Sequence, residues 1–354
     1  MSCGELEEIW AKTNLTQTSL TTQDHFFDFA FQSTQITGYS LTLPAAIFYG
    51  NSCFVSMHHT PLSLKDSYFF CRKLARTHYE NFTVVSFLLR KELRDPFYAI
   101  YAYCRISDDL ADESPSSTKA LEALADWQKQ LDRCFEGQTR EGDSPIFPAL
   151  KDVIDKHGLA KEPFDNLLEA FRRDQVQTRY ETWDELLDYC RCSANPVGRI
   201  ILQLGASASK VPPPTDEMVR RSDAICTALQ LANFWQDVAR DWKIGRFYVP
   251  LEYCREFEYD PQCLPQQTPA FEKMLRELCL RTREMFNAGA PLVDRVPKLI
   301  RTEVSLFLGG GLAILDAIEA INYQVWLKRP VVSKWKKLKL WFFSGSRELS
   351  VADC

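Results

Sequence analysis

Apolar and polar positions alternate at helical spacing along most of the chain. From Ser63 onward apolar residues recur three and four positions apart. The pattern predicts helices over about 64–80, 83–91, 94–113, 117–135, 146–157, 162–174, 182–206, 215–241, 268–288 and 296–328. Turn signals punctuate them: Pro96, Ser114-Pro115, Gly137, Gly158, Pro163, Pro212-Pro213-Pro214, Pro261 and Pro265. Val, Ile and Thr never alternate over a strand length. The expectation is therefore an all-α fold, with no Pro/Gly/Ser linker dividing residues 63–343. Residues 1–56 are rich in Ser, Thr and Gln and keep no period, which reads as a poorly ordered extension; Met57 is a candidate natural start. Residues 57–343 are expected to form one domain, followed by a tail over 344–354.

One predicted helix breaks its own pattern. LQLANFWQDVARD, from Leu229 to Asp241, is apolar enough to be buried, yet it carries Gln230, Asn233, Gln236, Asp237, Arg240 and Asp241. Asp237 and Asp241 are four residues apart and share one helix face. A second stretch, AIYAYCRISDDLADE, repeats the spacing with Asp108 and Asp112, with Asp109 beside them and Arg105 one turn before Asp109. With 47 acids in 354 residues, acid pairs at this spacing arise several times by chance, and a solvated acidic face explains one pair as well as a site does. The second pair lies in a run that is otherwise mostly apolar. Buried like charges are costly unless a cation neutralises them. Oxygen ligands without His or Cys favour a hard ion, Mg2+ before Ca2+, which keeps water or phosphate oxygens in its shell. Two such helices facing each other suggest a diphosphate bridged by Mg2+.

Composition narrows the classes. The net charge of −5 gives no reason to expect nucleic acid, and no run of 18 apolar residues marks a spanning helix. Acids at Glu5, Glu7 and Glu8 argue against a secretory signal. The 12 cysteines include no CxxC pair and join no His cluster, which argues against zinc and for reduced, mostly buried thiols in a cytoplasmic protein.

The motifs together resemble the squalene and phytoene synthase family. YAYCRISDDLADE is similar to its first aspartate-rich motif, and LQLANFWQDVARDWKIGRFYVP to its second. DYCRCSANPVG resembles the segment between them, and RTHYENFTVVSFLL the N-terminal flap. The resemblance covers about 63–343 and implies the isoprenoid synthase fold, a helical bundle around a central cavity. It also implies metal binding by Asp108, Asp112, Asp237 and Asp241, with Mg2+, or Mn2+ in its place. Polar groups lining the cavity would be Tyr189, Asn233, Gln230 and Gln236. Substrate contacts would come from Arg105, Arg246, Tyr79, Asn81, Phe82 and Phe234, with Lys328 or Arg329 as a looser match to a C-terminal phosphate contact.

Within the family, HYENF, LQLANFWQDVARD and VSKWKKLKL look most like the bacterial branch that turns presqualene diphosphate and water into hydroxysqualene and diphosphate, on the squalene route to hopanoids. Upstream and downstream squalene-pathway enzymes would be its partners. Two departures from condensing relatives point the same way: Gln236 stands where they commonly carry Arg, and Tyr79-Glu80-Asn81 replaces a Ser-containing flap. The alternatives are a head-to-head condensing enzyme, making presqualene diphosphate, squalene or phytoene, and a non-catalytic relative, which eroded aspartates would betray. No nicotinamide cofactor is expected: Gly309-Gly310-Gly311 lies in a helical pattern with no strand before it, so close helix packing explains it better than a dinucleotide. KWKKLKLWFF, 334–343, places Trp335, Leu338 and Phe342 on one face among lysines, a pattern suited to peripheral membrane contact as well as to a solvated basic helix end. His78 beside the flap reads first as structural.

Overall fold

The computed structural model describes residues 63–77, 89–140, 142–260 and 266–332. Among them the helices in chain order are α1 (Leu64–Thr77), α2 (Lys91–Asp112), α3 (Ser117–Phe135), α4 (Phe147–His157), α5 (Glu162–Arg173), α6 (Trp183–Ser193), α7 (Asn195–Ala208), α8 (Asp216–Lys243), α9 (Leu251–Glu256), α10 (Pro269–Gly289), α11 (Leu292–Arg295) and α12 (Arg301–Ala320). The only β pairing among the described residues is an isolated bridge between Arg179 and Phe247. The chain is all-α, as the periodicity predicts. The N-terminal extension, Met57, the flap residues Tyr79, Asn81 and Phe82, His78, the segment 334–343 and the tail lie outside the described residues.

Local chemistry sets the helix ends. Ser116, Thr182, Thr215 and Thr268 cap α3, α6, α8 and α10, each side-chain oxygen accepting a backbone N–H of the first turn. Three boundaries differ from the periodic reading. The segment 182–206 is two helices, because Asn195-Pro196 starts a new one after a turn at Ala194, and the proline has no N–H to continue the first helix. Pro96 does not break the chain: α2 runs through it from Lys91, and the buried apolar face on both sides of it carries the helix across. The last long helix stops at Ala320 rather than 328, where Asn322 and Tyr323 adopt left-handed φ of 51° and 60°.

Two helices organise the packing. α2 lies against α1, α3, α4 and α5; α8 lies against α6, α7, α10 and α12. One apolar core cluster spans Cys71 to Val325. α8 is buried on every side from Ile225 to Val238, which explains why its sequence lacks a single apolar stripe. Trp235 is fully buried and donates its indole N–H to Thr282 Oγ1 at 2.8 Å, tying α8 to α10.

The glycine run 309–311 lies inside α12. A Cβ at Gly311 would stand 2.2 Å from the ring of Phe286 on α10 and 3.0 Å from Leu229 on α8. The run thus serves close packing of α12 on its neighbours. Gly311→Ala is expected to destabilise the fold by roughly 1–3 kcal/mol, because overpacking a filled core outweighs the better helix propensity of Ala. Thermal denaturation followed by circular dichroism measures it, and an unchanged or higher midpoint would contradict this packing.

Candidate active site

α2 ends on acids, whereas α8 carries its acid pair within its last two turns, with Arg240 and Lys243 in the last one. Asp108, Asp109 and Asp112 occupy the last two turns of α2, Glu113 caps it, and no basic residue stands in its last turn. A helix C-terminus is the negative pole of its dipole, so Asp109 and Asp112 in the last turn are each disfavoured by roughly 0.3–1 kcal/mol before any like-charge repulsion is counted. Asp237 and Asp241 stand in the last two turns of α8, only 2% and 1% exposed. These carboxylates need cations.

Arginines supply part of that charge. Arg105 reaches Asp109 at 2.5 Å and Asp108 at 3.5 Å within α2. Burial alone would lower the Arg105 guanidinium, but Asp109 and Asp108 outweigh it and hold it firmly protonated. Arg246 lies just past α8. Ile244 and Arg246 donate backbone N–H to the Asp241 carbonyl at 3.1 and 2.9 Å, and Gly245 takes the left-handed φ of 82° that this reversal requires. The returning chain brings Arg246 Nη2 to 3.5 Å from Asp112 Oδ1. Arg246 thereby links the end of α8 to the end of α2. Burial would lower Arg246, and Tyr248, Asp174 and Asp112 raise it in net.

The third arginine comes from the segment after α12. Arg329 forms a two-pronged pair with Asp237, with Nη2 at 2.7 Å from Oδ2. Beside it, Gln236 Nε2 donates to the Pro330 carbonyl at 2.8 Å. Gln236 therefore does not stand free in the cavity as a catalytic group: it is 3% exposed and ties the 329–330 segment to α8.

Aromatic rings close the site. Phe234 stacks on Tyr248 with centroids 3.8 Å apart, and Tyr189 lies 6.2 Å from Phe234 and 6.1 Å from Tyr248. Tyr189 Oη donates to Asp174 at 3.0 Å. Burial, then Asp174, pushes the Tyr189 and Tyr248 hydroxyls far above the usual phenol range, so both keep their protons. Arg246 lowers the Tyr248 hydroxyl, and Asp241 and Asp112 raise it further. Asn233 and Gln230 are 1% and 5% exposed on α8. Gln230 Oε1 has no hydrogen-bond partner among the described residues.

Part of the predicted site comes together: Tyr189 and Phe234 pack on Tyr248, Arg246 reaches Asp112, and Asp237 lies under Arg329. Tyr248, Tyr180 and Asp174 were missed. Tyr248 stands inside GRFYVP, so its motif gave a signal that went unused, whereas nothing local marks Asp174 or Tyr180.

No three His, Cys, Asp or Glu side chains among the described residues stand together as a ready metal cage. The donor set is two carboxylate pairs on separate helices. It fits a hard cation that completes its shell with phosphate and water oxygens, and does not fit a closed all-protein site.

The chain belongs to the squalene/phytoene synthase family: residues 75–336 match the family model described as "Squalene/phytoene synthase". It is 31% identical over 279 residues to phytoene synthase 2, chloroplastic, of Oryza sativa subsp. japonica, covering 78% of this chain and 69% of the relative. It is 40% identical over 176 residues to hydroxysqualene synthase of Zymomonas mobilis, a match that covers 48% of this chain and 54% of that one. Among solved structures, squalene synthase HpnC from Alicyclobacillus acidocaldarius is 39% identical, with TM-score 0.69, covering 75% of this chain and 97% of that chain. A dehydrosqualene synthase in complex with ligand, 21% identical with TM-score 0.68 over 80% of this chain and 96% of that one, shares the fold.

Gln236→Leu keeps the bulk of the side chain and removes its hydrogen bond to Pro330. The expected cost is about 1–2 kcal/mol, since a buried carbonyl loses its donor. Urea denaturation measures it, and wild-type stability would contradict the tethering role.

Proposed function

We propose that this chain is a hydroxysqualene synthase, converting presqualene diphosphate and water to hydroxysqualene and diphosphate. The observation that carries this reading over two-substrate condensation is Gln236. The position before Asp237 is neutral, buried and bonded to Pro330, so α8 offers no cation there for a second diphosphate. The 39% identity to a squalene synthase HpnC, over nearly all of that chain, supports the same branch. The rival reading, condensation of two prenyl diphosphates, draws its support from the phytoene synthases at 28–31% identity over 78–79% of this chain.

Mg2+, or Mn2+ in its place, would be held by Asp108 and Asp112 on α2 and by Asp237 and Asp241 on α8, where it would stabilise the charge of the leaving diphosphate. Arg105 and Arg246 add fixed positive charge at the same end. The C–O bond to diphosphate breaks and the electron pair leaves with it. The cation left behind would lie beside the Phe234–Tyr248 stack, where one ring face contributes on the order of 1–2 kcal/mol of cation–π attraction in a dry site. The buried amides of Gln230 and Asn233 are the polar groups on that wall of α8.

The purified chain, incubated with Mg2+ and separately with presqualene, farnesyl and geranylgeranyl diphosphates, tests the reading by mass spectrometry of the products. The expected result is hydroxysqualene from presqualene diphosphate. Phytoene from geranylgeranyl diphosphate, or presqualene diphosphate accumulating from farnesyl diphosphate, would establish the condensing alternative instead.

A further inference from the structure

Behind Tyr189 lies a second polar cluster that the aspartate motifs do not account for. Asp174 closes α5 and is 6% exposed. Its Oδ2 accepts the Tyr189 proton at 3.0 Å. Tyr180 packs beside it, its ring 5.4 Å from Tyr189 and stacked 5.9 Å from Tyr248. The Tyr180 hydroxyl is 1% exposed as a residue and has no hydrogen-bond partner among the described residues. Arg246 Nη1 is likewise buried and without a hydrogen-bond partner, although Nη2 of the same side chain pairs with Asp112. Tyr180 stacks on Tyr248, and Phe247 donates its N–H to the Thr178 carbonyl, so the segment that carries Arg246 runs alongside the one that carries Tyr180.

A buried hydroxyl left unsatisfied costs free energy, and native folds answer such groups with ordered water where two or more polar partners surround the space. Here donors and acceptors are both at hand. Tyr180 O–H and Arg246 Nη1–H can donate. Tyr189 has committed its one proton to Asp174, so its oxygen turns lone pairs outward and can accept. Hydrogen bonds hold the cluster in place: Phe247 donates its backbone N–H to the Thr178 carbonyl at 2.9 Å, Leu251 its own to the Tyr180 carbonyl at 3.0 Å, and the Gln175 side-chain Nε2 to the Ala111 carbonyl at 3.2 Å. The last bond joins the Asp174 turn to the first aspartate helix.

We propose that Tyr180, Tyr189, Arg246 and Asp174 form the binding site of the water that captures the carbocation, with Tyr180 as a water-holding residue and Asp174 as the final proton acceptor. The inference rests on the hydroxysqualene reading given above. The water oxygen forms the new C–O bond, and its proton passes to Tyr189 Oη as the tyrosine's own proton moves along the 3.0 Å bond to Asp174. No oxidant or reductant enters. Without a held water, the cation loses a neighbouring C–H proton instead and ends as an alkene.

The test is the ratio of alcohol to alkene formed from presqualene diphosphate, a readout that a merely structural role does not move. Tyr180→Phe removes a hydroxyl with no protein partner, so its melting temperature should match or exceed that of the wild type. The alcohol share is expected to fall about tenfold, the weight of one hydrogen bond. Asp174→Asn, which can still accept from Tyr189 but is a far weaker base, should lower the alcohol share as well. A wild-type product ratio in either variant overturns the assignment. Failure of the wild-type chain to make any hydroxysqualene overturns both the parent reading and this one, and so is distinguishable from failure of the water site alone.

Discussion

Buried and part-buried carboxylates near the ends of two helices are the constraint on which the rest of this structure depends. α2 and α8 each carry an acid pair near the C-terminus in low-dielectric surroundings; the dipole adds to the cost on α2, whereas Arg240 and Lys243 stand in the last turn of α8. Arg105, Arg246 and Arg329 each answer one part of the problem from a different place in the chain. Arg105 belongs to the acidic helix itself. Arg246 needs the reversal at Gly245, and Arg329 needs the end of α12 to come back across α8. The electrostatics of the site thus reach into turns and helix ends far from it in sequence.

The packing follows from the same requirement. α8 must be central to carry buried polar groups, and so it is apolar on every other side and enclosed by α6, α7, α10 and α12. Small residues allow that enclosure, as at Gly311 against Phe286. The connection 175–181 is pinned to 246–252 by the bridge between Arg179 and Phe247 and by the backbone bonds beside it. This clamp sets Asp174, Tyr180 and Tyr248 against the aspartates. A site that must stay dry around a cation benefits from such rigidity, because a mobile wall would admit water at random.

Much of this was legible in the chain itself. The 3.6-residue period revealed the helices, and polar residues inside an otherwise apolar run singled out Gln230, Asn233, Asp237 and Asp241. What escaped the reading was set by tertiary contacts. Asp174 and Tyr180 lie at a helix end and in an irregular connection whose position depends on the clamp with 246–252, and no local pattern reports that. Arg329 meets Asp237 across 92 residues. The break at Asn195-Pro196 had its signal in the proline, but continuous apolar spacing on both sides masked it. Gln236 is the instructive case. Read from sequence it is a missing cation; in the fold it is also a tether, holding the segment that delivers Arg329.

The two aspartate helices are proposed as one cradle for a diphosphate held with Mg2+. Calorimetric titration of the wild-type chain with inorganic diphosphate, in Mg2+ buffer and again in a chelator, tests it most directly. The account predicts binding that requires Mg2+ and is lost when Asp112 on α2 or Asp241 on α8 is replaced by Asn. Equal affinity in Mg2+ and in chelator, or loss with only one helix altered and none with the other, would contradict it.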